Sequence, residues 1–327
     1  MKHIKLLSII ILMAGLTACE KEILYDDIAP KPLMVVNGIQ HVGEPARLSV
    51  EKSSFYINSE KDFRVKDVHV DLYVNGAFKE ALQVRDSTIM ETYWVYDPES
   101  GESHEEERPS YAYVYCEGEY LLCEGDALRF EVSSSEFDEV AVAETTIPYA
   151  PNVISFDTIR VETNPDDFGL STIYLSLKID DPAGNDYYNL YPQEGLTNFT
   201  SSDPVFADFM NIVHVDDMFG GSDYYGHGAY NMFNDAYFDG SQYAISMSSI
   251  VQPVESYYYK PLVMEVTRVD YPLYQFAKSY SIYDYADDLI SLFTEPTQVY
   301  YNVQNGVGVV CSQSLPVTVV VNLWEEE

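Results

Sequence analysis

Val68-His69-Val70-Asp71-Leu72-Tyr73-Val74-Asn75-Gly76 is the stretch that decides the fold class. Apolar and polar or amphipathic residues alternate with period two, the pattern of a strand with one face on a core. Asn-Gly directly after such a run is the strongest short-range hairpin signal, because both turn positions need positive φ. The return strand is expected through Ala81 to Val84. Upstream, Leu33-Met34-Val35-Val36-Asn37-Gly38 reads as the opening of the domain. Downstream, strand signals recur at Ile89 to Tyr96, Tyr111 to Cys116, Tyr120 to Cys123, Leu128 to Val132 and Val140 to Ile147. The acidic, Pro- and Gly-bearing segment Asp97 to Ser110 reads as a solvated loop, and Glu117-Gly118 as a turn. Short strands at this spacing predict an immunoglobulin-like β-sandwich over residues 33–149.

Pro148 and Pro151 mark a linker, and a second domain is expected over 150–327. Its strands are Val153 to Val161, Ile173 to Ile179, Tyr187 to Tyr191, Tyr243 to Ile250, Leu262 to Val269, Val299 to Val303, Val307 to Cys311 and Val317 to Val321. One helix is expected after Asp270, a good cap, with Pro272 in its first turn. Leu273, Phe276, Ala277, Tyr280 and Tyr283 would share one face. The fold class is therefore all-β: an N-terminal immunoglobulin-like sandwich, then a β-rich domain with one short helix. No solenoid repeat and no heptad pattern is visible.

The N-terminus carries a different signal. Met1-Lys2-His3-Ile4-Lys5 is basic, and an apolar run from Leu6 to Gly15 follows. That run is too short for a bilayer, which needs about 20 apolar residues. It fits a signal peptide over residues 1–18. Leu16, Thr17 and Ala18 precede Cys19 as in a bacterial lipobox, where the cysteine thiol takes a diacylglyceryl group. Residues 19–32 read as a charged tether closed by Pro30 and Pro32. Two or three acyl chains, at about 0.8 kcal/mol per buried CH₂, would make attachment through Cys19 effectively permanent. No Asp follows the cysteine, and Glu20-Lys21-Glu22 is similar to the export signal of surface lipoproteins. An outer-membrane anchor is expected, exposed at the surface or, alternatively, facing the periplasm.

Composition excludes some partners. The chain has 53 Asp+Glu against 18 Lys+Arg, and removing residues 1–18 takes the formal net charge from −35 to −37. Such a chain repels phosphate backbones, so nucleic acid is not an expected partner. Of the cysteines left after Cys19, Cys116, Cys123 and Cys311 are an odd number without framework spacing. They read as buried free thiols.

Catalytic signatures are missing from the sequence. There is no Gly-x-Ser-x-Gly, no His-Glu-x-x-His and no glycine-rich phosphate loop. No catalytic residue, no metal ligand set and no cofactor is assigned. Asp180, Asp181, Asn185 and Asp186 have the oxygen ligands for Ca²⁺ but lack EF-hand order, and a turn is the simpler reading. The irregular stretch 192–242 is rich in Asp, Gly, Asn and aromatic residues. Tyr224, Tyr225, Tyr230, Phe233 and Tyr237 are the candidate ligand-binding residues, since rings beside carboxylates suit sugars or peptides. The competing reading has these rings pinning a long loop.

Several segments, taken in order, carry a family resemblance. They are Leu33–Gly38 after the lipobox, Ala143-Glu144-Thr145-Thr146-Ile147-Pro148 and Asp181-Pro182-Ala183-Gly184-Asn185-Asp186-Tyr187-Tyr188. Phe233-Asn234-Asp235-Ala236-Tyr237-Phe238-Asp239-Gly240 and the stretch from Glu295-Pro296 to Asn302-Val303-Gln304-Asn305-Gly306-Val307-Gly308 complete the set. The chain resembles an uncharacterised family of Bacteroidetes lipoproteins, domain of unknown function 4249. The resemblance implies no activity and no catalytic residues, and it implies a setting beside TonB-dependent outer-membrane receptors. The functional expectation is a non-enzymatic surface lipoprotein accessory to such a receptor in ligand or nutrient capture. A structural or adhesive lipoprotein and a tethered glycan or peptide hydrolase are the alternatives.

Overall fold

A computed structural model describes residues 31–54, 62–96, 103–163, 171–193, 199–201, 203–206, 210–212, 230–251, 261–285 and 298–321. The lipobox Leu16–Cys19, Tyr224 and Tyr225 lie outside these residues. The strands are β1 (Met34–His41), β2 (Pro45–Lys52), β3 (His69–Val74), β4 (Ala77–Ala81), β5 (Gln83–Tyr96), β6 (Ser103–Leu121), β7 (Ala127–Ser133), β8 (Ala141–Thr146) and β9 (Asn152–Thr163). There follow β10 (Ser171–Asp180), β11 (Tyr187–Pro192), β12 (Phe199–Thr200), β13 (Met210–Ile212), β14 (Tyr230–Asn234), β15 (Gln242–Val251), β16 (Leu262–Val269), β17 (Val310–Gln313) and β18 (Val317–Val321). The helix α1 spans Tyr271–Tyr285. The protein is all-β, with one α-helix among the described residues, as its alternating patterns predict.

The deciding stretch forms β3 as read. Val70 and Leu72 are fully buried, while His69 is exposed. Asn75 (φ 53°) and Gly76 (φ 80°) make the tight turn into β4. β4, β3, β7 and β8 form one antiparallel sheet, in which Leu72 lies opposite Phe130, and Phe130 opposite Ala143. A second sheet runs β1-β2-β6-β5, and Val36, Val50 and Val114 align across it. The two sheets share one core that includes Met34, Leu48, Leu72, Phe130 and Ile147. Each such side chain contributes about 1.5–3 kcal/mol on burial.

The expected immunoglobulin-like sandwich does not stand as an isolated unit among the described residues. β1 pairs in parallel with β17, Gly38 opposite Val310 and His41 opposite Gln313. The sheet containing β1 therefore continues through β17, β16, β11, β14 and β13, with β18 also on β16. The residues on either side of the expected 149 boundary thus share a sheet, and Leu33–Ser53 and Glu60–Glu327 belong to one compact unit. A second core lies where β11, β14 and β16 face the four-stranded sheet β12-β15-β10-β9, with Leu175, Leu177, Tyr188 and Val266 inside it. α1 packs Leu273, Phe276 and Ala277 on Val269, Val309 and Cys311.

The parallel seam is closed by the segment between α1 and β17. The Asn302 side chain accepts the Val310 N–H (2.9 Å) and donates to the carbonyls of Val310 (2.7 Å) and Glu144 (3.2 Å). Asn305 donates to the Val140 carbonyl (3.1 Å), and the backbones of Gln304 and Val142 bond each other. Gly308, at φ 112°, passes so close to the Val36 carbonyl that a Cβ would collide with it. Val299 to Val303, expected as a strand, has no strand pairing; the Asn302 side-chain amide instead reaches two neighbouring strands.

Three further readings change. Ser103–Ser110 is strand, not loop; residues 97–102 lie outside the description. It pairs in register with β5, Glu91 across from Arg108 and Tyr93 across from Glu106. β6 continues through Glu117-Gly118 without a turn, with a register shift against β2 between the Arg47–Glu117 and Pro45–Leu121 pairs. Gly118 is needed there because the Glu80 carboxylate sits over it, accepting the N–H groups of Glu119 (3.0 Å) and Tyr120 (3.0 Å). Cys116 and Cys311 are buried free thiols, but Cys123 is exposed. Burial pushes Cys116 up to about 12, so it is inert as a nucleophile.

Candidate functional site: an aspartate corner

Two connections meet at one end of the second core. Asp181–Asp186 joins β10 to β11, and Asp235–Ser241 joins β14 to β15. β10 pairs with β15 (Asp180 opposite Gln242) and β11 with β14 (Tyr187 opposite Asn234), so both connections emerge side by side. Backbone bonds stitch them: Asp235 N–H to the Asp186 carbonyl (3.1 Å) and Asp181 N–H to the Ser241 carbonyl (3.2 Å).

Asp181, Asp235 and Asp239 converge there, with one carboxylate oxygen from each within 4.8 Å of the others. Asp181 and Asp235 are buried and Asp239 is exposed. Asp181 accepts the Tyr188 hydroxyl (2.5 Å) and the Gly240 N–H (2.9 Å). Asp235 accepts the Asp186 N–H (2.9 Å), and Asp239 the Gly184 N–H (2.9 Å). These donors are neutral; the cation acting on the corner is Arg268, which interacts electrostatically with Asp181. Burial, then Asp181 and Asp239, push Asp235 up to about 6. Burial and the bond to Asp181 also drive the Tyr188 hydroxyl far above its usual range. The chemistry open to such a corner is to share a proton or to offer oxygen ligands to a hard cation.

The Ca²⁺ reading named four residues, and only Asp181 joins this cluster. Asp180 accepts the Asn152 side chain (3.1 Å), and Asp186 forms an ion pair with Arg268. Arg268 is mostly buried and its Nε has no hydrogen-bond partner. Burial pulls this guanidinium down from its ordinary value, while Asp181 and Glu124 oppose the shift.

The aromatic candidates separate. Phe233 is core: it is 2% exposed and stacks on Tyr188 at 5.4 Å. The backbone of Tyr230 pairs with Ile212 at the start of β14. Tyr237 is exposed, on the turn that carries Asp235 and Asp239. Those two aspartates were missed from sequence. Their spacing of four around Tyr237-Phe238 was the available signal.

A second feature is a cavity of about 480 Å³ lined by Gly76, Arg129, Glu144, Thr145, Asp270 and Tyr271. Asp270 caps α1 by accepting the Leu273 N–H (2.9 Å), as expected. Its other oxygen contacts Thr145 Oγ1, which lies 2.9 Å from Ser312 Oγ, and Ser312 donates to the Thr146 carbonyl (2.9 Å). One hydroxyl proton on Thr145 cannot serve both Asp270 and Ser312. A protonated Asp270 resolves this by donating to Thr145, and burial does push Asp270 up to about 7.

A family model described as Domain of unknown function (DUF4249) matches residues 20–314. No curated protein matches the chain. Among solved structures, a protein described as membrane anchored from Corynebacterium diphtheriae is 8% identical, with a TM-score of 0.20 over 73% of this chain and 55% of its own. The chain thus spans about half the length of that structure. Serine-rich repeat protein Srr2 from Streptococcus agalactiae is 12% identical, with a TM-score of 0.16 over 75% of this chain and 90% of its own.

Proposed function

Taking as premise that the chain belongs to the DUF4249 family, we propose that it is a non-enzymatic lipoprotein, anchored through Cys19 in the outer membrane and exposed at the cell surface. In this reading it works beside a TonB-dependent receptor in capturing a ligand or nutrient. The observation that carries the proposal is the order of parts: a basic and apolar leader, Leu16-Thr17-Ala18-Cys19, then a charged segment before the first strand at Met34. A lipid on Cys19 would leave that segment as the tether of a β-rich body.

The family resemblance supports the receptor setting, since it implies TonB-dependent neighbours. The aspartate corner gives a tethered hydrolase some footing, because a displaced carboxyl pKa marks many active sites. That reading is weaker here. Each carboxylate at the corner already accepts a backbone N–H that pins one turn to another.

Mass spectrometry of the membrane-extracted protein tests the anchor. The N-terminal peptide is expected to begin at Cys19 and carry diacylglyceryl, and Cys19→Ala is expected to leave the membrane fraction. Full membrane partition of Cys19→Ala would overturn the anchor. Recovery of the wild type from gently solubilised outer membranes without any receptor would overturn the receptor setting.

A further inference from the structure

The hairpin β5–β6 outgrows its sheet. β2 covers β6 only from Leu121 to Val114, and a single bridge from Asp62 reaches Ala112. Beyond that, Met90–Tyr96 pairs among the described residues with Pro109–Ser103 alone, a two-stranded ribbon of roughly 20 Å. A lone two-stranded ribbon is marginal in water and leaves both edges open to another strand. β5 ends the sheet, so its outer edge has no partner strand among the described residues along its whole length.

The register sorts the side chains into two faces. On one, Glu91 lies opposite Arg108 and Tyr93 opposite Glu106. That face satisfies itself: Ser110 and Tyr93 donate to Glu91, and Arg108 pairs with Glu106 at 2.7 Å. The other face carries Met90, Thr92, Trp94 and Tyr96 opposite Pro109, Glu107, Glu105 and Ser103. Met90, Trp94 and Tyr96 are 50%, 71% and 63% exposed. Neither Glu105 nor Glu107 makes an ion pair among the described residues.

We propose that this ribbon is a docking arm that takes an extended, basic strand from a partner protein onto the open edge of β5. The strand's backbone would fill the unpaired edge. Its Lys or Arg side chains would meet Glu105 and Glu107, and its apolar side chains would cover Met90, Trp94 and Tyr96. Charge selects the partner class. Residues 88–111 hold Glu91, Asp97, Glu99, Glu102 and Glu105–Glu107 against one Arg108, which repels nucleic acid, anionic lipid and a second copy of this acidic chain. The open backbone edge favours a protein strand over a sugar, which could stack on Trp94 but not fill that edge. The arm is independent of the anchor proposed at Cys19.

The test uses the mature chain with Trp324→Phe, so that Trp94 is the remaining tryptophan. The probes are ten-residue peptides alternating Lys with Val or Glu with Val, and a Lys-Val peptide N-methylated on its pairing edge. At low ionic strength the Lys-Val peptide is expected to bind and shift Trp94 emission to the blue. The N-methylated peptide, and the double variant Glu105→Gln/Glu107→Gln followed by calorimetry, should each bind about tenfold more weakly or worse. Trp94→Ala should lose a similar factor while its circular dichroism stays unchanged, since the ring is exposed. Equal binding of the Glu-Val peptide, indifference to N-methylation, or binding of maltoheptaose with no peptide binding would each overturn the proposal.

Discussion

Two corners of the molecule are built from polar residues in tight turns, and they behave oppositely. At the seam corner, Asn302 and Gln304 both donate and accept and Asn305 donates, and these bonds fasten β17, β8 and Val140 just before β8. At the aspartate corner, Asp181, Asp235 and Asp239 only accept, and their donors are neutral amides and one tyrosine. An amide side chain is its own counterpart; a carboxylate needs a proton or a cation to close the account. The seam corner therefore stabilises the fold without regard to pH, while the aspartate corner leaves charge that titrates near pH 6.

The contrast is broken most severely at Gly308. Gly308→Val puts a side chain at φ 112° and into the Val36 carbonyl. It should cost about 3–5 kcal/mol in denaturant unfolding, the sum of backbone strain and overpacking. Asn302→Ala is next. It strips the Val310 N–H of its acceptor and removes two donated bonds, and should cost about 2–3 kcal/mol at any pH from 5 to 8.

Much of this architecture was legible in the chain. Alternation plus Asn75-Gly76 located β3 and its turn, and Asp270 with Pro272 located the start of α1. The parallel pairing of β1 with β17 was not legible, because partners such as Ile39 and Cys311 leave no local trace of each other. Hence a boundary near 149 was expected where one sheet continues. Glu105–Glu107 have low strand propensity and are held as strand by cross-strand partners that sequence cannot register. At the candidate site, Asp181 was visible as a turn residue. Asp235 and Asp239 were hidden among 53 acids, since only the fold brings them together.

The smallest effect is also the most discriminating. A carboxyl raised in the folded state stabilises the fold while protonated, and that stabilisation fades as pH rises from the unfolded value through the folded one. For Asp235 the window runs from about 4 to about 6. Asp270 adds its own decline, reaching to about 7. The measurement is therefore the difference in unfolding free energy between wild type and Asp235→Asn, taken at intervals from pH 4 to pH 7.5. The account predicts that the wild type loses stability relative to Asp235→Asn as pH rises through that window, with the difference level above it. A difference that is flat across the whole range, or that rises in favour of the wild type, would contradict the claim that burial and the neighbouring aspartates hold Asp235 protonated to higher pH.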